Sequence, residues 1–317
     1  MYKQFFGLRA CPFNVNPDPR YLFLTQSARE ALACLSYGVQ TRKGFILLSG
    51  EVGTGKTTLL NKLLEWLRMQ RVSTAFVFNP RLNVMEFFDF MMADFGIVCE
   101  ATDKGKTLMR LNQWLLDRYR TGETAALIVD EAQNLSVDLL EEIRLLTNLE
   151  TSTEKLLQIV LSGQPELEQK LREPQLRQLR QRITLRCRTH PLTAEETSAY
   201  IAQRLRFAGA NGMPIFSNEA VEAIFRYSQG IPRVTNLLCE HALINAFVDQ
   251  KRPVTPDLVE EIAREFELDE LSPLGVGNGR PSGENITMLE AVRMFAARRK
   301  VVRSAHTTEI STEKKQP

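Results

Sequence analysis

The stretch GFILLSGEVGTGKTTLL carries Gly50-x4-Gly55-Lys56-Thr57, the spacing of a loop built to hold phosphate. Glycines let successive backbone N–H groups turn inward onto phosphate oxygens, and the helix that follows adds the positive end of its dipole. Gly50, Glu51, Val52, Gly53, Thr54, Gly55, Lys56, Thr57 and Thr58 are therefore expected to cradle a nucleoside triphosphate. In that arrangement Lys56 neutralises the β and γ phosphates, and the Thr57 hydroxyl binds Mg²⁺.

A second set of oxygen ligands is needed for the metal, and the attacking water must be oriented. Ala125 to Val129 is an apolar run closed by Asp130 and Glu131, which supply both functions. Asp130 is expected to hold the metal, directly or through water, and Glu131 to polarise the water in line with the γ-phosphate. Adjacent acids of this kind argue against a small-molecule kinase, which must keep water away. Leu157 to Leu161 runs into Ser162, Gly163, Gln164 and Pro165, so either Ser162 or Gln164 is placed to sense the γ-phosphate. The segment LRQLRQRITLRCR turns Leu176, Leu179 and Ile183 one way and leaves its arginines exposed. These form a solvated basic face, a nucleic-acid patch, or a source of one arginine for a neighbouring subunit's nucleotide. Arg233 opens a later helix where the dipole disfavours a cation, which points to another task.

These residues need a scaffold. Apolar runs at Phe45 to Ser49, Thr74 to Phe78, Ala125 to Val129, Leu157 to Leu161 and Ile183 to Cys187 read as strands of a parallel sheet. Helical segments alternate with them: Lys56 to Met69, Val84 to Phe95, Lys106 to Tyr119, Val137 to Asn148 and Glu166 to Leu171. This predicts an α/β class, a P-loop NTPase sheet with helices on both faces. After Pro191 the strand signal stops, and helices are expected from near Thr193, Ser217, Pro232 and Pro256. The division is residues 1–190 as the nucleotide-binding domain, 191–271 as an all-helical lid, and 272–317 as a flexible basic tail.

The 317 residues are 44% hydrophobic and 25% charged, as for a globular protein. No apolar run approaches the ~20 residues of a membrane span, and no leader pattern opens the chain, so a cytoplasmic location is expected. From residue 272 onward eight Lys and Arg face four Asp and Glu, so the excess positive charge lies in the tail and the rest of the chain, 32 against 34, is near neutral. A short amphipathic basic helix from Thr287 to Arg303 reads as a surface element, with peripheral contact to an anionic membrane as a further role. The five cysteines and three histidines show no metal-ligand spacing.

Taken together these parts resemble the AAA+ ATPases of the general secretion pathway protein A (ExeA) family. The resemblance runs from about Tyr2 to Leu268, through Phe6-Gly-Leu, Pro12-Phe13, Pro17-Asp18-Pro19, the phosphate loop, Val129 to Gln133, Leu161 to Leu167, Arg180 to Ile183 and Gly230 to Asn236. It implies an AAA+ core bearing ATP and Mg²⁺, with Arg233 as the nucleotide-sensing arginine of the lid. Arg182 is then the finger reaching the next subunit, and Pro12 and Phe13 lie near the adenine. It further implies a homo-oligomer with ATP sites between subunits and a protein partner in an envelope secretion or exopolysaccharide export system. Secretion-type members add a membrane span and a peptidoglycan-binding part; the layout here resembles shorter soluble relatives. Two other classes fit the same core: a DNA-associated AAA+ protein of the transposition or origin-recognition kind, and a nucleotide-gated scaffold with slow turnover.

Overall fold

The computed structural model describes residues 2–14, 16, 18–78, 82–98 and 103–268. The tail from 272, with its expected helix, lies outside the described residues. Five parallel strands, β1 (Phe45–Ser49), β2 (Val72–Val77), β3 (Thr124–Val129), β4 (Leu157–Gly163) and β5 (Leu185–Arg188), form one sheet in the order β2-β3-β4-β1-β5. Their side chains alternate between two apolar layers. Phe45, Leu47, Leu127 and Ile159 face one layer, whereas Ile46, Leu48, Ile128 and Val160 face the other. Each such side chain withdrawn from water contributes about 2 kcal/mol, so the sheet is held from both sides.

The first layer is completed by α4 (Val84–Asp94), α5 (Lys104–Arg120), α6 (Val137–Leu146), α7 (Pro165–Lys170) and α8 (Arg177–Arg182). The second is completed by α2 (Gln26–Gln40) and α3 (Lys56–Met69). Helix α2 has no counterpart in the sequence reading. Its apolar face is small, with Ala31, Leu35 and Val39 buried, and Gly38 lets it press onto the sheet. A Cβ on Gly38 would stand 2.4 Å from Ile46 Cδ1. Strand β5 also starts two residues later than expected. Helix α8 runs through Arg182, and the Thr184 N–H donates to the Phe45 carbonyl, with the Thr184 hydroxyl within hydrogen-bond distance of the carbonyls of Lys43 and Phe45, before the ladder begins.

Past the sheet, α9 (Ala194–Phe207), α10 (Asn218–Ser228), α11 (Pro232–Val248) and α12 (Pro256–Glu265) surround a separate apolar core. Thr193 and Glu196 close α9 with a capping box, and Ser217 caps α10. The opening of the chain packs here as well. Helix α1 (Tyr2–Phe5) rests on α11, and Phe6, Leu8 and Phe13 are buried among the helical-domain side chains. The reading that grouped residues 1–190 placed this segment with the sheet. Its aromatics instead find their apolar surface on the helices.

Candidate nucleotide site

Strand β1 ends at Ser49, and the chain turns through Gly53 and Gly55, at φ +79° and +93°, before α3 begins at Lys56. These left-handed angles favour glycine. The close approaches are equally selective: a Cβ on Gly53 would lie 2.8 Å from Arg233 Cβ, and one on Gly50 2.1 Å from Thr189 Oγ1. Buried Lys56 donates its ammonium protons to the carbonyls of Gly50 (2.8 Å) and Glu51 (3.0 Å). Burial holds the Lys56 pKa below its ordinary value, against the opposing pull of Glu131, Asp130, Glu51 and Glu166.

Because β3 and β4 are neighbours in register, with Val129 opposite Leu161, their ends deliver the acids and their partners side by side. Asp130, 3% exposed, accepts from Thr57 Oγ1 (2.6 Å) on one oxygen. Its other oxygen accepts from Ser162 Oγ (2.7 Å) and the Glu131 amide (3.0 Å). Glu131 has φ +53°, an outlier for a non-glycine residue and a conformation that costs energy. Gln133 Nε2 (2.5 Å) and Gln164 Nε2 (3.1 Å) donate to its Oε2. Gln133 in turn accepts the Gln164 amide at 3.2 Å. A side chain at Gly163 would stand 2.9 Å from Gln133 Oε1, so the glycine makes room for this bracket.

The alternatives left open by sequence therefore separate by contact: Ser162 belongs to Asp130, and Gln164 to Glu131. Gln133 closes the Val129 to Gln133 segment, and its side chain joins Glu131, two residues back, to Gln164, 31 positions on. Among the described residues no cluster of three or more His, Cys, Asp or Glu could hold a metal. The donor set suits Mg²⁺ nonetheless. A hydroxyl and a carboxylate oxygen meet at Thr57 and Asp130, and this hard cation takes one or two protein oxygens beside phosphate and water.

A cleft of about 360 Å³ extends from Gly53 to Thr58 and Glu131 outward to the helical domain. Asn16, Tyr21, Leu22 and Phe23 also line it, with Tyr21 against Arg204 and Phe23 edge-on to Tyr200. Pro12 and Phe13, expected near the adenine, are not among the residues that line it. Phe13 is fully buried, edge-on to Phe216, and the Pro12 carbonyl accepts from Arg204 Nη1 at 3.0 Å. Arg204 also holds the Asn14 carbonyl (3.2 Å) and lies over the Tyr21 and Tyr200 rings. Arg233 lines the cleft, and its backbone N–H donates to the Gly53 carbonyl at 3.3 Å.

Arg182 is elsewhere. It precedes Leu185, which pairs with Ile46, so it stands at the N-terminal edge of the strands. The phosphate loop leaves the C-terminal edge, about 16 Å away along the five residues of β1 at ~3.3 Å per strand residue.

Comparison with known proteins agrees with this architecture. Residues 39–171 match a family model described as an AAA domain. Over 248 residues, 78% of this chain, the sequence is 46% identical to General secretion pathway protein A of Aeromonas hydrophila; the match spans 45% of that protein. Among solved structures, the ORC2 protein of Aeropyrum pernix aligns with a TM-score of 0.60 at 17% identity, covering 80% of this chain and 71% of that one. CDC6P from Pyrobaculum aerophilum gives 0.61 at 18%, over 76% and 66%. The RuvB Holliday junction branch migration motor of Thermotoga maritima gives 0.51 at 16%, over 81% and 74%. These structural likenesses establish the P-loop NTPase fold.

Proposed function

From the premise that this chain carries an AAA domain on a P-loop NTPase fold and is similar to General secretion pathway protein A, we propose that it is a Mg²⁺-dependent ATPase acting on a cell-envelope secretion or export assembly. The observation that carries the hydrolytic part is one cleft lined by Lys56, Thr57 and Glu131, with Asp130 bonded to Thr57 and Glu131 bracketed by Gln133 and Gln164. Lys56 and the loop amides bind the triphosphate. Thr57 and Asp130 would hold Mg²⁺, which when bound would offset charge on the phosphate oxygens. Glu131, held at Oε2 by Gln133 and Gln164, polarises a water against the γ-phosphorus, the bond to the β-phosphate oxygen breaks, and ADP and phosphate leave. Gln164 reaches the same point from β4 and senses the γ-phosphate, whereas Ser162 orients Asp130. Asn16, Tyr21, Leu22 and Phe23 take the base, and Arg233 reads the nucleotide from the lid.

The export role is supported by the similarity at 46% identity and extends from the ATPase portion of that relative only. Assembly into a homo-oligomer gives Arg182 its task, because its own phosphate loop is out of reach. Phosphate release tests the enzymatic claim: the purified chain should release phosphate from ATP with Mg²⁺ and stop when the metal is chelated. Release that is indifferent to chelation would contradict it.

A further inference from the structure

Thr189 follows β5 and is buried against the phosphate loop, although nothing in the loop motif points to it. Its backbone N–H donates to the Ser49 carbonyl at 2.9 Å, which seats it beside the residue from which the loop departs. Its Oγ1 lies 2.8 Å from Thr54 Oγ1. Thr54 Oγ1 donates to the Glu51 carbonyl at 2.8 Å, and a hydroxyl has one proton to give. The Thr189 hydroxyl is therefore the donor to Thr54. The Glu51 carbonyl at the end of this relay also accepts from Lys56 Nζ at 3.0 Å. Gly50 has no Cβ where Thr189 Oγ1 stands, since the two would be 2.1 Å apart.

We infer that Thr189 is a positioning residue for the phosphate loop: through Thr54 it holds the Glu51 carbonyl, and with it the arc from Gly50 to Lys56, in the shape that receives phosphate. The claim rests on the nucleotide-site reading above and deepens it. Thr189 also begins the connector to the helical domain. Three residues on, the Leu192 N–H donates to the Gly230 carbonyl at 2.8 Å, and a Cβ on Gly230 would lie 1.9 Å from Leu192 O. Arg233, just beyond, donates its N–H to Gly53. The loop is thus gripped from the connector at Thr54 and from α11 at Gly53, and the relay is the grip that a hydroxyl makes.

Thr189→Val keeps the shape and removes the donor, which strands a buried hydroxyl acceptor. Fluorescent ATP-analogue titration of the full chain should show affinity falling about tenfold, with kcat at saturating ATP within about twofold of wild type, because Glu131 is held by other residues. Thr189→Ser should restore affinity, Thr54→Val should reproduce the loss, and the double valine variant should lose no more than either alone. Unchanged affinity in Thr189→Val, no rescue by serine, or losses that multiply in the double variant would each overturn the inference. Should Thr189→Val fail to fold, Thr54→Val reads the same bond from the other side, and wild-type affinity there overturns it equally. Lys56→Ala in the same series separates the two claims. Binding that ignores Lys56 removes the site reading and this inference with it, whereas binding that needs Lys56 but ignores the Thr189 hydroxyl removes the inference alone.

Discussion

Asp130 takes three donors, from Thr57, Ser162 and the Glu131 amide, and each comes from a different stretch of chain. A buried carboxylate that loses one of them bears much of the desolvation cost, so Ser162→Ala should lower denaturant-measured stability by about 2 kcal/mol and slow hydrolysis. Gln164→Ala meets a less buried partner and should leave stability within about 0.5 kcal/mol while also slowing hydrolysis. Equal stability losses would mean that the two side chains do not divide the acids as their contacts indicate. At this scale the phosphate loop and the two acids were legible because their order along the chain is itself the chemistry: strand, turn, phosphate, metal. Gln133 and Thr189 were not, since a bond across 31 or 135 residues leaves no local spacing to read.

Elements were legible in proportion to how uniformly they are buried. Strand β1 has all five residues buried, and its limits follow from the apolar run alone. Helix α2 escaped because its contact face uses alanine and glycine, where close approach replaces apolar bulk. The opening segment has too few residues to show a period, and only the helical core reveals where its phenylalanines go. There Tyr2 donates to Glu240 Oε1 at 2.7 Å, while Glu240 Oε2 is buried without a partner among the described residues. Burial raises the Glu240 pKa, partly countered by the Tyr2 hydrogen bond and by Arg204. A carboxyl raised in the folded state favours folding below its unfolded pKa, near 4.3, and that contribution is lost as pH rises through the folded value. Glu240→Gln does not titrate. The unfolding temperature of this variant minus that of wild type should therefore increase from about pH 4 to about pH 8. A difference that stays flat or shrinks would show that Glu240 is not held protonated by its burial.

At the scale of the whole molecule, the two ends of the sheet's strands carry different groups. The C-terminal edge carries the nucleotide cleft, and the N-terminal edge carries Arg182, exposed and beyond reach of that cleft. In an oligomer Arg182 would serve the next subunit's phosphate. Glu131→Gln subunits keep Arg182, and Arg182→Ala subunits keep Glu131, so a mixture contains interfaces with both groups intact. Phosphate release by the co-assembled mixture should exceed that of either variant alone; no recovery despite co-assembly would remove Arg182 from the trans site. How copies of this chain would meet is not legible, because one chain's pattern records its own core and not a neighbour's. The claim on which the account stands is that one cleft both binds ATP through Lys56 and hydrolyses it through Glu131. Parallel ATP titration and single-turnover phosphate release on Lys56→Ala and Glu131→Gln test it most directly. Lys56→Ala should lose binding, whereas Glu131→Gln should bind as wild type and release phosphate about 100-fold more slowly or worse. Equal loss of affinity in both variants, or normal release by Glu131→Gln, would contradict it.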